Sequence, residues 1–172
     1  MSRLRSLAFV ALPVLIADLV TKHLAVLDLQ PPYVPHRVLG DAVRLTLAYN
    51  RQGVMGLPAG RYARWLLSGV AVVVLAVLGR MLLATKPAER LRALALALII
   101  GGAIGNLAGR LASGGGVVDF IDVGAAAWRF WTFNVADVAI DTGIALLAWA
   151  MWRAGRRAAQ PGDARPGPSA GR

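Results

Sequence analysis

The chain has 172 residues, of which 57% are apolar, 16% are charged and none is cysteine, and it carries a formal net charge of +10. A mean hydropathy of +0.58 excludes an ordinary soluble domain, and the lack of cysteine excludes disulfides, thiolate chemistry and cysteine-ligated zinc. His23 and His36 have no second ligand at metal spacing, so neither a metal nor another cofactor is expected.

Four stretches, 7–27, 65–84, 91–111 and 135–152, are long and apolar enough to cross a bilayer, which takes about 20 residues. Arg3 and Arg5 precede the first stretch as they would in a signal peptide. No small-residue cleavage site follows, and the apolar character continues past Asp18 and Lys22, so an uncleaved first helix is expected. The connection 28–62 has order of its own. Val43, Leu45, Leu47 and Tyr49 alternate with Arg44, Thr46 and Ala48, the period-two pattern of a half-buried strand, and Asn50-Arg-Gln-Gly53 then supplies turn chemistry. The second stretch has Arg80 as its only charge. In the third, Gly101, Gly102 and Gly105 suit close helix packing rather than phosphate binding, and Asn106 and Arg110 lie at its end. Ser113-Gly-Gly-Gly116 then reads as a flexible lead into Asp119, with Trp128 and Trp131 as interfacial anchors. The fourth stretch carries Asp137 and Asp141. Residues 154–172, rich in Pro, Gly and Arg, read as a disordered basic tail, and residues 1–153 as a single domain.

Charge fixes the expected orientation. The N-terminus, residues Arg80 to Arg92 around the connection between the second and third spans, and the tail from Arg153 hold eleven of the nineteen Lys and Arg, so both termini are expected in the cytoplasm. The positive charge thus reads as topology and attraction to membrane lipid, not as a nucleic-acid surface. The fold expected is an all-α membrane protein of four transmembrane helices with a small extracytoplasmic β-rich region, about 28–62, on the outer face. That orientation gathers Asp18, Lys22, Asn106, Arg110, Asp119 and Asp137 into one layer at the outer side.

Carboxylates in or beside hydrocarbon are costly and usually functional. Two that approach one another resist double ionisation and titrate as a unit. The ionised member can deprotonate water for attack on an amide, and the protonated member can polarise the carbonyl and later protonate the leaving nitrogen. Asp119 and Asp137 are the pair expected to do this. Asp141 lies one turn along the same helix as Asp137, too close to leave a substrate between them, and is given a helix-packing or secondary role. Asp122 is the alternative to Asp119 in the pair.

Five blocks carry a specific resemblance: Asp18-Leu-Val-Thr-Lys22, Asn50-Arg-Gln-Gly53, Gly101-Gly-Ala-Ile-Gly-Asn106 with Arg110, Val117-Val-Asp-Phe-Ile121, and Phe133-Asn-Val-Ala-Asp137. In this order on four spans they resemble the signal peptidase II family, bacterial inner-membrane aspartyl peptidases that remove the signal peptide from diacylglyceryl-modified prolipoproteins, just before the lipidated cysteine. The resemblance implies that Asp119 and Asp137 are catalytic. It makes Asn50, Gly53, Asn106, Arg110, Asn134, Asp18 and Lys22 substrate-binding or supporting residues, and for Asp18 and Lys22 structural support weighs at least as much as substrate contact. Prolipoproteins and membrane lipids are the implied partners of a monomer. Gly109 stands where the family usually has Asp, and Met55 where it usually has an aromatic. A non-catalytic or specialised paralogue that binds signal peptides is the alternative, and a small proton-coupled transporter a more distant one.

Overall fold

The computed structural model describes residues 3–50, 62–113, 116–125 and 128–159. The first helix is built in three parts, α1 (Arg3–Ser6), a π-helical turn (Leu7–Ala11) and α2 (Leu12–Asp28). Pro13 accounts for the wide turn. It has no N–H to donate to the carbonyl one turn back, and its ring presses on that carbonyl. The Leu12 N–H instead reaches Leu7 O, the longer spacing of a π-bulge. Three further helices follow, α3 (Ala63–Ala84), α4 (Arg90–Ala112) and α5 (Val135–Ala159). With the first helix they make four that are long and apolar enough to cross a membrane, where they were expected.

Half of the α4 span is buried, against 22% of the first span and 17% of each of the others, which makes α4 the central helix. It packs on α5, α3, α2 and the π turn. Lipid tails are as apolar as leucine, so contacts of this kind depend on close approach rather than on escape from water. A Cβ at Gly102 would run into the carbonyl of Ala136 and lie 2.8 Å from Ile140 Cγ1. Gly109 is different, because its nearest neighbours would be Lys22 Nζ at 3.8 Å and Val117 Cγ1 at 3.9 Å, ordinary contact distances. Gly102→Ala is therefore expected to cost about 2 kcal/mol through overpacking. Gly109→Ala should be neutral or gain up to about 1 kcal/mol from helix propensity. Thermal unfolding in detergent compares the two, and equal losses would contradict the packing described.

The sheet lies at the end of the bundle where α2 and α4 finish and α3 and α5 begin. Its strands β1 (His36–Leu39), β2 (Val43–Asn50), β3 (Val117–Ala125) and β4 (Trp128–Arg129) run antiparallel in the order β1-β2-β3-β4. The expected β region, 28–62, supplies only the first two. The rest comes from the connection after α4, where a flexible lead and two anchors were expected. Leu47, Val118 and Phe120 of the sheet pack on Ala25 and Leu29 at the end of the first helix. Withdrawal of each such Leu or Phe from water contributes about 1.5–3 kcal/mol.

Two further differences matter. The alternation of β2 is interrupted, because Leu45 pairs with Ile121 and Ala48 with Asp119, leaving one extra residue on β2 as a bulge. The expected tail boundary at 153 falls inside α5, which runs to Ala159. Arg153 stacks over Trp149 and Arg156 over Trp152, each 5.2 Å from the ring centroid, and these one-turn pairs carry the helix beyond its apolar stretch.

Candidate active site

The start of α5 builds the first half of the site. Asn134 Oδ1 accepts the N–H of Asp137 at 3.0 Å, and Asp137 Oδ2 accepts the N–H of Asn134 at 3.1 Å. This is a capping box in Asn-x-x-Asp form, which satisfies donors that a helix start leaves open. It also places the Asp137 carboxylate at the positive end of the helix dipole. The other oxygen, Oδ1, accepts the Asn106 side-chain amide at 2.7 Å.

Asn106 is oriented from behind. Its Oδ1 accepts Lys22 Nζ at 2.9 Å and Asn134 Nδ2 at 3.1 Å. An ammonium has only donors, so the carbonyl end of the amide must face Lys22 and the NH2 end Asp137. Lys22 in turn donates to Asp18 Oδ2 at 2.7 Å, and Asp18 Oδ1 accepts the N–H of Ala136 at 2.9 Å, a further cap on α5. Asp18 is 0% and Lys22 5% exposed, and their hydrogen bonds run to Asn106 and to the backbone of α5.

The second half comes from β3. Asp119 Oδ1 accepts Asn134 Nδ2 at 2.6 Å, so one residue holds both carboxylates. Burial, with repulsion from Asp137 next, pushes the Asp119 carboxyl up to about 6, against hydrogen bonds from Asn134 and Asn50 and the charge of Lys22. Asp119 is 4% exposed and Asn134 0%, whereas Asp137 is half-buried and within reach of a ligand. The Arg110 charge acts on both aspartates.

Asp18, Lys22, Asn50, Asn106, Asn134, Asp119 and Asp137 thus form one hydrogen-bonded constellation, with Arg110 beside it. Gly53 lies outside the described residues. Asp122 faces Arg44 and Arg129 rather than the pair, and Asp141 is exposed on α5. The capping box went unread in the sequence, although Asn134 three residues before Asp137 is its signature. The backbone of Ala136 as the partner of Asp18 is announced by no sequence pattern.

The family model described as signal peptidase (SPase) II matches residues 10–153. The chain belongs to the signal peptidase II family. The lipoprotein signal peptidase of Methylobacterium sp. (strain 4-46) is 40% identical to it over 122 residues, 69% of this chain and 72% of that one. That of Escherichia coli (strain K12 / DH10B) is 38% identical over 142 residues, 78% and 81% of the two chains. Two solved structures described as bacterial membrane enzymes share the fold. One has a TM-score of 0.77 at 24% identity, covering 90% of this chain and 92% of its own, and the other 0.72 at 26%, covering 84% and 90%. Membership of signal peptidase II makes this a multi-pass membrane peptidase. Among the described residues, no histidine and carboxylate side chains group in a way that could hold a metal ion.

Proposed function

We propose that this chain is an aspartic endopeptidase that removes the signal peptide from diacylglyceryl-modified prolipoproteins, cutting before the lipidated cysteine. One observation carries the reading: Asn134 hydrogen-bonds Asp119 through its side-chain amide and Asp137 through its backbone N–H, so two carboxylates from different elements are held by one residue. Both oxygens of Asp137 accept N–H donors, the environment of an acceptor-only carboxylate. Asp119, whose carboxyl is pushed up to about 6, takes the proton in the substrate-bound site, where exclusion of water raises it further.

The steps follow from that division. Asp137 takes a proton from water as the water oxygen bonds to the scissile carbonyl carbon, and Asp119 hydrogen-bonds the carbonyl oxygen as its negative charge grows. Collapse of the tetrahedral intermediate breaks the C–N bond, and the leaving nitrogen takes a proton from the pair. With one proton on the pair, the formal charges of Asp18, Lys22, Arg110 and the ionised aspartate cancel. A site beside hydrocarbon is then neutral as a whole. The basic residues concentrate at the end of the bundle opposite the sheet, and by the positive-inside rule this supports a dyad and sheet on the outer face, with the α1 and α5 ends in the cytoplasm.

The test is cleavage of a synthetic diacylglyceryl-prolipoprotein by the purified protein, read by product mass. The expected product begins at the lipidated cysteine. Binding with no product at high enzyme concentration would sink the reading and favour a binding paralogue.

A further inference from the structure

Asp119 and Asp122 lie on the same strand but face different partners. Asp122 is 5% exposed. Its Oδ2 accepts Arg44 Nε, Arg44 Nη2 and Thr46 Oγ1, each at 3.0 Å, and its Oδ1 accepts Arg129 Nε at 2.6 Å. Its backbone carbonyl accepts Arg129 Nη2 at 3.0 Å, and Arg129 Nη1 reaches on to the carbonyl of Asp41 at 2.7 Å. Burial opposes the charge of Asp122, but the hydrogen bonds from Arg129, Thr46 and Arg44 more than offset it and hold the carboxyl below its usual range. One carboxylate therefore ties β2, β4 and the β1–β2 turn to β3.

The position of this knot is what gives it a consequence. The β2 bulge falls between the Leu45–Ile121 and Ala48–Asp119 pairs, so it separates Asp122 from Asp119. Thr46, one of the partners of Asp122, lies within that bulge. Moving a strand's register by one residue turns each side chain to the opposite face, and here it would turn Asp119 away from Asn134. The return from β4 is anchored on the same stretch. Phe120 and Ile121 donate their N–H groups to Phe133 O at 3.0 and 2.8 Å, and Phe133 N–H donates to Ile121 O at 3.0 Å. Asn134 follows immediately. Both halves of the dyad are thus referenced to residues 119–122.

We propose that Asp122 is a positioning residue for the peptidase: by fixing the β2 bulge and the β4 return on one carboxylate, it sets the register that aims Asp119 at Asn134 and holds Asn134 against Asp137. The inference rests on the aspartic-peptidase reading above. Its test compares the parent with Asp122→Asn and Thr46→Val, and with Asp119→Asn as a control. The measurements are kcat and KM for lipopeptide cleavage and hydrogen exchange at the Phe120, Ile121 and Phe133 amides.

A misplacement of about 1 Å can cost up to about 100-fold in rate, so Asp122→Asn is expected to lower kcat about 10- to 100-fold. KM should stay within about threefold. Exchange should accelerate at the three amides and not in the helices, with Thr46→Val showing the same pattern more weakly. An unchanged kcat per folded molecule, or a loss carried wholly by KM, would overturn the proposal. Should the parent itself not cleave, the peptidase reading fails separately. Exchange then decides the proposal, since unaltered protection at Ile121 and Phe133 overturns it and selective loss upholds the register role.

Discussion

Asp119→Asn is expected to abolish most cleavage while making the protein more stable at neutral pH. General acid–base participation is worth about 10²–10⁴-fold, and kcat should fall by an amount in that range. Asp137→Asn should fall similarly, and the double variant should be no slower than the worse single one, because the pair acts as a unit. Stability moves the other way. The Asp119 carboxyl is raised from 3.8 to about 6 in the folded state, so between those values the folded protein binds more protons than the unfolded chain. Its unfolding free energy therefore declines as pH rises from about 4 to about 6 and levels off above that. Replacing the carboxylate by an amide of the same shape keeps an oxygen to accept Asn134 Nδ2 and removes the cost of burying the charge. The gain is on the order of 2 kcal/mol at pH 7, and the slope between pH 4 and 6 should flatten. Thermal unfolding in detergent across that range, beside the cleavage assay, measures both. A variant that cuts like the parent, or that keeps the parent's pH slope, would show that Asp119 is not the proton-holding member. Asp137→Asn should show no such gain, since an amide offers one acceptor where Asn106 and Asn134 now find two.

The second large effect concerns Asp18 and Lys22, which are buried away from any proposed bond-breaking step. Removing one partner of a buried ion pair costs about 3–5 kcal/mol, because the other is left charged and uncompensated. Asp18→Asn and Lys22→Met should each approach that loss. The combined Asp18→Asn/Lys22→Met protein contains no orphan charge and should regain at least half of it. Activity should not return with stability. Without the ammonium, the Asn106 carbonyl keeps only the Asn134 Nδ2 donor at 3.1 Å, so its NH2 group is held less firmly on Asp137. Unfolding and cleavage measured on all three proteins separate the roles. A double variant as unstable as the singles, or one that cleaves normally, would contradict them.

Much of this was legible in the sequence because hydrocarbon makes polarity conspicuous. Apolar runs mark the four helices, and the motif blocks single out Asp119, Asp137, Asn106 and Asn134. What stayed hidden depends on pairing. Val117-Val-Asp-Phe-Ile-Asp has no alternation, since β3 is buried along most of its length, and such a run does not declare itself a strand. The bulge in β2 exists only relative to β3, and Arg44 meets Asp122 only once that register is set. The end of α5 was missed because its arginines read as a tail, whereas two of them stack on tryptophans one turn back.

Asp18 also imposes an order on biosynthesis. It lies on a helix made before α5, yet one of its oxygens is satisfied by the Ala136 N–H at the start of α5. Until α5 has entered the membrane, that oxygen, the Asn106 amide and Asp119 all lack the partners that α5 and Asn134 supply. A nascent chain that lacks α5 therefore has no assembled constellation, which arrives complete with that helix rather than building up along the way.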